Sequence, residues 1–309
     1  MTEFLIYLLT MIGIWGILSL SLHIQYGMTG LINLGHVVFF MLGAYVSTIL
    51  VMLLGAPFIV GLVGGMVVAS LVAVVMALPT ANLREDYWAI CTLAFGEMVR
   101  LFFLNQPLKG EYIGASFGVS GIPQPWSAWF SDYGYNIFYM VLVLLCLLLA
   151  FVFVLWLSRQ PFGRALKAIR EGDEVPLTLG KAVGSYRIRA MAVAGLLGGA
   201  AGGLFAHYNA FISPNYFLPL ETFLVWSMII LGGAGNPLGA LAGTVIIQVL
   251  YNSTRFIKGF VPLDASMLGS LRMVFIGVLI VAVILYLPQG LFPEKKRSYA
   301  RKHAKAPAD

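Results

Sequence analysis

Residues 139–180 read YMVLVLLCLLLAFVFVLWLSRQPFGRALKAIREGDEVPLTLG. The first nineteen carry no charge, and a helix of that length crosses most of a hydrocarbon core ~30 Å thick. The remainder is basic, polar and amphipathic, and the step between the two halves decides the fold class. A stretch like the first belongs in lipid. A stretch like the second does not, because each charged residue placed at a bilayer centre costs ~2.5–3.5 kcal/mol. Residues 159–189 hold ten of the chain's 32 charged residues (19 basic, 13 acidic), so this segment lies in water or against another protein.

The rest of the chain resembles the first half. Of its 309 residues 60% are hydrophobic and only 10% charged, with a mean hydropathy of +0.90, whereas a soluble globular domain carries about 25% charged residues. Apolar runs near 4–24, 34–54, 57–78, 88–105, 135–157, 190–211, 221–234, 236–254 and 267–288 predict about nine spans, the seventh short. None shows the ten-residue alternating segments of a membrane barrel. The expected fold is an all-α polytopic membrane protein. The first run begins at Phe4 with no basic region before it and no small-residue cleavage site after it, which predicts a retained span. Cys91 and Cys146 both fall inside spans and make no disulfide or metal framework.

Charge sets the expected orientation. With the N-terminus outside, fourteen Lys and Arg fall on the cytoplasmic side: Arg84, seven between Arg159 and Arg189, and six from Lys295 to Lys305. Lys109, Arg255 and Lys258 face outward, and Arg100 and Arg272 lie in spans. That asymmetry predicts N-out, C-in. The domain reading is a membrane domain over 1–292, carrying the cytoplasmic loop 159–189, and a basic tail over 293–309. The tail reads as a solvated end near anionic lipid and not as a nucleic-acid site.

Within the loop, Ala165, Leu166 and Ile169 share one helical face while Arg164, Lys167, Arg170 and Glu171 take the other. Gly163 precedes them. Gly172 can end this helix, Asp173 can cap a second that begins at Glu174, and Gly180 can end that one. Pro176 fits only in the first turn of the second helix. The pattern is two short helices broken by a turn, more patterned than an ordinary solvated loop.

A second unusual stretch is Gly27–Tyr45, GMTGLINLGHVVFFMLGAY, which sets Gly30, Asn33, Gly35 and His36 at the edge of the first two spans. Glycines there permit close helix approach or a broken re-entrant backbone. A weak echo begins 203 residues later, Gly233 and Asn236 standing against Gly30 and Asn33, and Gly239, one residue further on, against Gly35. Matched breaks in two halves point to a transporter's path, and the alternative is a pair of packing turns. Glu97 and Arg100 lie three apart on the fourth span, an ion pair in preference to a substrate clamp. His36 and His207 read as satisfied interior histidines, and no cluster has metal-ligand spacing. The aromatic segment 106–134 reads as an interfacial belt or as a platform for an external partner.

Four of these stretches, GMTGLINLGHVVFFMLGAY (27–45), TLAFGEMVRL (92–101), GRALKAIREGDEVPLTLG (163–180) and LGGAGNPLGALAG (231–243), together resemble the LivM-type permease subunit of branched-chain amino acid ABC importers, over roughly residues 5 to 292. The resemblance implies a multi-pass protein of a bacterial inner membrane. It also implies partners: a homologous permease in a heterodimer, two ABC ATPases that bind the ATP, and an external substrate-binding protein. The 163–180 segment would plug into the ATPase, with Glu174 and Gly180 at the spacing of the family's Glu-Ala-Ala-x-x-x-Gly element and Val175-Pro176 where the family usually has Ala-Ala. The sequence holds no G-x-x-x-x-G-K-[ST] motif, so no catalytic residue, cofactor or metal is expected on this chain. Related permeases move urea, short amides or aromatic acids, so the substrate stays open. An autonomous secondary transporter would need embedded carboxylates, for which Glu97 and Glu221 are the candidates. An intramembrane enzyme would need a nucleophile with an oriented base, and none can be paired.

Overall fold

The structure is a computed structural model that describes residues 2–81, 83–109, 113–257, 265–287 and 289–294. Among these, eleven α-helices run in order: α1 (Thr2–Leu22), α2 (Val37–Leu54), α3 (Phe58–Thr80), α4 (Glu85–Asn105), α5 (Asp132–Arg159), α6 (Pro161–Glu171), α7 (Glu174–Thr178), α8 (Val183–Asn209), α9 (Pro219–Gly232), α10 (Pro237–Ile257) and α11 (Ala265–Tyr286). Their boundaries reflect local chemistry. Proline opens α6, α9 and α10, where its missing N–H would lack a helical partner anyway. Ser131 caps α5 by accepting from the Gly134 N–H at 3.3 Å. Gly55, at φ +62°, ends α2 in the left-handed conformation that glycine takes without strain.

Seven segments are long and apolar enough to cross a membrane: Thr2–Gly27, Val37–Leu54, Phe58–Thr80, Asp86–Asn105, Asp132–Arg159, Val183–Asn209 and Pro214–Gly232. Each coincides with one of the expected spans. The seventh expected run is short because α9 has only 14 residues, and a turn at Pro214–Tyr216 extends it. α10 and α11 cover the last two expected runs as helices. The basic residues from 295 onward lie outside the described residues.

Lipid tails are as apolar as leucine, so helices in a membrane associate through close packing, and glycine supplies it here. Gly43 of α2, Gly65 of α3, and Gly199 and Gly202 of α8 bring three backbones into contact: a β-carbon at Gly65 would lie 2.7 Å from the Gly43 carbonyl oxygen, and one at Gly199 2.8 Å from that of Gly65. α1 runs beside this trio and lays Gly13 and Gly16 on Val143 and Leu147 of α5. Gly232, Gly239 and Gly243 close α9 and α10 into a tight hairpin. The outer faces of α3, α5 and α11 expose Leu71 and Val75, Leu145 and Leu149, and Val274 and Val278, an apolar exterior suited to lipid. Within the 106–131 connection Pro107–Lys109 pairs antiparallel with Ile113–Gly114, and Val119–Ser120 pairs with Phe211–Ile212, which ties the connection to the chain after α8.

Candidate functional site

The glycine breaks and the amphipathic loop meet at one end of the bundle. α1 continues past Leu22 as a turn of π-helix, His23–Gly27, and stays helical to Thr29. Gly30 then turns the chain out at φ +78°, and residues 30–36 are not helical. The Val37 N–H donates to Thr222 Oγ1 at 3.2 Å. Thr222 is ten residues, or ~15 Å of helical rise, from the Gly232 end of α9. The Trp226 indole N–H, lower on the same helix, donates to the Asn33 carbonyl at 3.0 Å. Residues 30–36 therefore run from the rim back into the interior, deeper than the edge position the sequence suggests.

Backbone without helix survives at membrane depth only where protein satisfies it. Asn33 supplies much of that satisfaction. It is fully buried, its Nδ2 donates to Gln25 Oε1 at 2.8 Å, and its Oδ1 accepts from the Gly35 N–H at 2.9 Å. The Leu34 N–H donates to Thr92 Oγ1 at 3.1 Å, which fixes the break to α4. Gly35 and Gly96 permit that approach, since a β-carbon at Gly96 would stand 3.1 Å from the Gly35 Cα. His36 is buried with its ring edge-on to Phe39 at 5.6 Å. One helical turn beyond Gly96, Arg100 grips Glu97 through two hydrogen bonds, Nε to Oε2 at 2.8 Å and Nη2 to Oε1 at 2.5 Å.

The second break is shorter. Gly233, at φ +110°, ends α9, and Asn236 caps α10 by accepting from the Leu238 N–H at 3.1 Å. Gly239 sits under the α9 terminus, where a β-carbon would lie 2.5 Å from the Gly232 carbonyl oxygen. The segment after α11 then closes over this break, the Leu291 and Phe292 N–H groups donating to the carbonyls of Leu231 and Gly232 at 3.1 and 2.9 Å.

α6 reaches the first break through Arg170, which lies against Gly27 and Gly30, and the second through Glu294, whose side chain lies beside Gly235. Gly163, Ala165, Leu166 and Ile169 are buried, on the face the helical spacing predicts, and Arg164 and Glu171 are exposed. Lys167 and Arg170 are not on a free solvated face. The Lys167 ammonium donates to Glu294 Oε1 at 2.6 Å, and Arg170 bridges Glu294 Oε2 and the Gly27 carbonyl. Burial pushes the Glu294 carboxyl up, but the hydrogen bonds from Arg170 and Lys167 outweigh it and hold the group below the usual carboxylate range. A carboxylate whose pKa folding depresses contributes its stability above the ordinary range and loses it as pH falls through the lower folded value. Asp173 stands at the start of α7, as expected of a cap. Its carboxylate makes no cap bond and instead pairs with Arg187 Nη2 at 2.9 Å. Gly172 and Gly180 end the two helices, Gly180 at φ +71°. α7 turns Glu174, Val175, Leu177 and Leu179 outward, and the three apolar side chains are more than half exposed.

Sequence reading misses Glu294, Arg187, Gln25 and Trp226. Each acts on a partner distant in the chain or through a polar atom that hydropathy does not weigh. Of the two histidines expected to be satisfied in the interior, His207 is, its ring bridging Ser47 Oγ at 3.0 Å and the Pro123 carbonyl at 2.8 Å, whereas His36 is buried with neither ring nitrogen hydrogen-bonded among the described residues. Among the described residues no three His, Cys, Asp or Glu side chains gather as metal ligands would.

Comparison with known proteins adds an independent line. Residues 4–284 match the family model described as the branched-chain amino acid transport system permease component. The chain is 30% identical, over 96% of its length and 72% of the relative's, to the high-affinity branched-chain amino acid transport system permease protein LivM of Salmonella typhimurium. It is 31% identical to the probable branched-chain amino acid transport permease protein LivM of Methanocaldococcus jannaschii, over 92% of this chain and 91% of that one. The guanosine ABC transporter permease protein NupQ of Bacillus subtilis is 25% identical over 76% of each chain. No solved structure matches the chain.

Proposed function

The chain belongs to the branched-chain amino acid transport permease family, as a LivM-type multi-pass membrane permease of an ABC transporter, and from that premise we propose how it works. It forms, with a homologous permease, the path for branched-chain amino acids, delivered by an external binding protein and driven by two separate ATPases. The membrane domain runs over 1–292 with nine spans, α10 and α11 adding two to the seven long apolar segments, and the N-terminus faces out. α6 and α7 then lie on the cytoplasmic side, where the ATPases are.

One observation carries this reading. The α6–α7 unit is two-faced: its inner side is bolted by Arg170 and Lys167 to Glu294, by Arg170 to Gly27 and by Asp173 to Arg187, while its outer side presents Val175, Leu177, Leu179 and Glu174 to whatever lies beyond. A partner pushing on α7 would push on both glycine breaks at once. Such a contiguous rigid link is what converts a partner's motion into a change in the membrane.

The test uses the assembled transporter in proteoliposomes. Leu177→Asp or Glu174→Arg, both exposed positions, should remove ATPase stimulation by loaded binding protein while the permease still inserts and purifies. Gly180→Pro should do the same, because proline cannot adopt φ +71°. Stimulated turnover at the wild-type rate in all three variants overturns the assignment.

A further inference from the structure

At the opposite end of the bundle a cavity of about 350 Å³ opens between α1, α2, α8, α9 and α10, within the size range of small-molecule sites. Its lining includes the aromatic rings of Trp15, Phe40 and Tyr216, the first two packed at 5.7 Å. It also includes the polar side chains of Glu221, Gln248 and Asn252. No lysine or arginine is among the described residues that line it. Gln248 is the unusual member. It is only 2% exposed, its Oε1 accepts from Asn252 Nδ2 at 3.0 Å, and its Nε2 has no hydrogen-bond partner among the described residues. A buried amide N–H₂ without an acceptor is costly, and one on a cavity wall marks where an acceptor belongs.

We propose that this cavity is a resting site for the transported solute, entered from the side where the binding protein delivers it, with Gln248 Nε2 donating to a solute oxygen and the aromatic rings holding an aliphatic body. The occupant that matches this mixed lining is an α-amino acid with an aliphatic side chain. Its carboxylate accepts from Gln248, its ammonium stands on the Glu221 side, and its side chain lies against Trp15 and Phe40. The proposal rests on the transport reading and adds to it the place where discrimination occurs inside the permease.

The complete transporter with its binding protein, in proteoliposomes, provides the test, with a diazirine analogue of leucine as the probe. On irradiation the wild-type complex should be labelled in peptides of α1, α2 or the Pro214–Tyr216 turn, and excess leucine should suppress the label. Gln248→Leu, which keeps the volume and removes the donor, should lower leucine uptake per assembled complex at least tenfold while stimulated ATPase activity stays within twofold. If that variant does not assemble, the labelling of the wild-type complex decides alone. Label confined to other helices, or suppressed by guanosine and not by leucine, overturns the site. Normal uptake in Gln248→Leu overturns it as well. A wild-type complex that moves no leucine sinks the transport reading itself, and the amino-acid assignment of the cavity with it; leucine uptake that ignores Gln248 sinks the cavity alone.

Discussion

Asn33 has two roles open to it from sequence, lining a path or holding a turn, and its surroundings argue for the second. Both ends of its amide are spent inside the protein, on Gln25 and on the Gly35 N–H, and its carbonyl is taken by Trp226. Leucine there would leave Gln25 Oε1 and the Gly35 N–H buried without partners, at about 1–3 kcal/mol each. Asn33→Leu should therefore lower the yield and melting temperature of the purified complex while leucine uptake per surviving transporter stays near normal. Asn236→Ala removes only a helix cap, worth ~1 kcal/mol, and should show neither effect strongly. A fully assembled Asn33→Leu complex with abolished uptake would instead make Asn33 part of the path. The echo between Asn33 and Asn236 is thus a likeness of residues and not of depth: one is buried in a re-entrant stretch, the other caps a helix at the rim.

Glycine governs the elements, and position decides what each one is worth. A β-carbon at Gly202 in α8 would fall on the Phe40 carbonyl oxygen, while one at Gly277 in α11 would meet nothing within 4 Å. Gly202→Ala should destabilise the folded chain by about 1–3 kcal/mol, since the obstacle is backbone and cannot swing aside; Gly277→Ala should be neutral or slightly stabilising through helix propensity. Thermal denaturation in detergent separates them, and equal stability of the two variants would contradict the packing described. This is also where sequence reading stops. Hydropathy shows length, so the spans were legible, and the turn residues Gly172 and Gly180 marked the ends of α6 and α7. Neither signal shows which faces meet. Lys167 and Arg170 look solvent-facing from spacing alone because their partner Glu294 is 127 and 124 residues away, and the depth of Val37 depends on Thr222, 185 residues on.

For the whole molecule the charge asymmetry makes a direct prediction. In a background with Cys91 and Cys146 replaced, a cysteine at Ser127 should react with an impermeant thiol reagent added to intact cells, and one at Thr178, exposed at the end of α7, only after permeabilisation. The reverse pattern would invert the orientation and place α6 and α7 out of reach of any cytoplasmic ATPase. The central place of α1 carries a consequence for biogenesis. It precedes the other described helices in chain order and is the most enclosed of the seven apolar segments, 78% of its apolar window buried. Ser19, fully buried, receives its hydrogen bond from Thr244 Oγ1 and donates to Met228, partners 225 and 209 residues later in the chain. At a synthesis rate of ~5–20 residues per second, those partners emerge roughly ten to forty-five seconds after it. Until then Ser19 lacks both of its native partners, so a helix made before them completes its packing only after they have followed it.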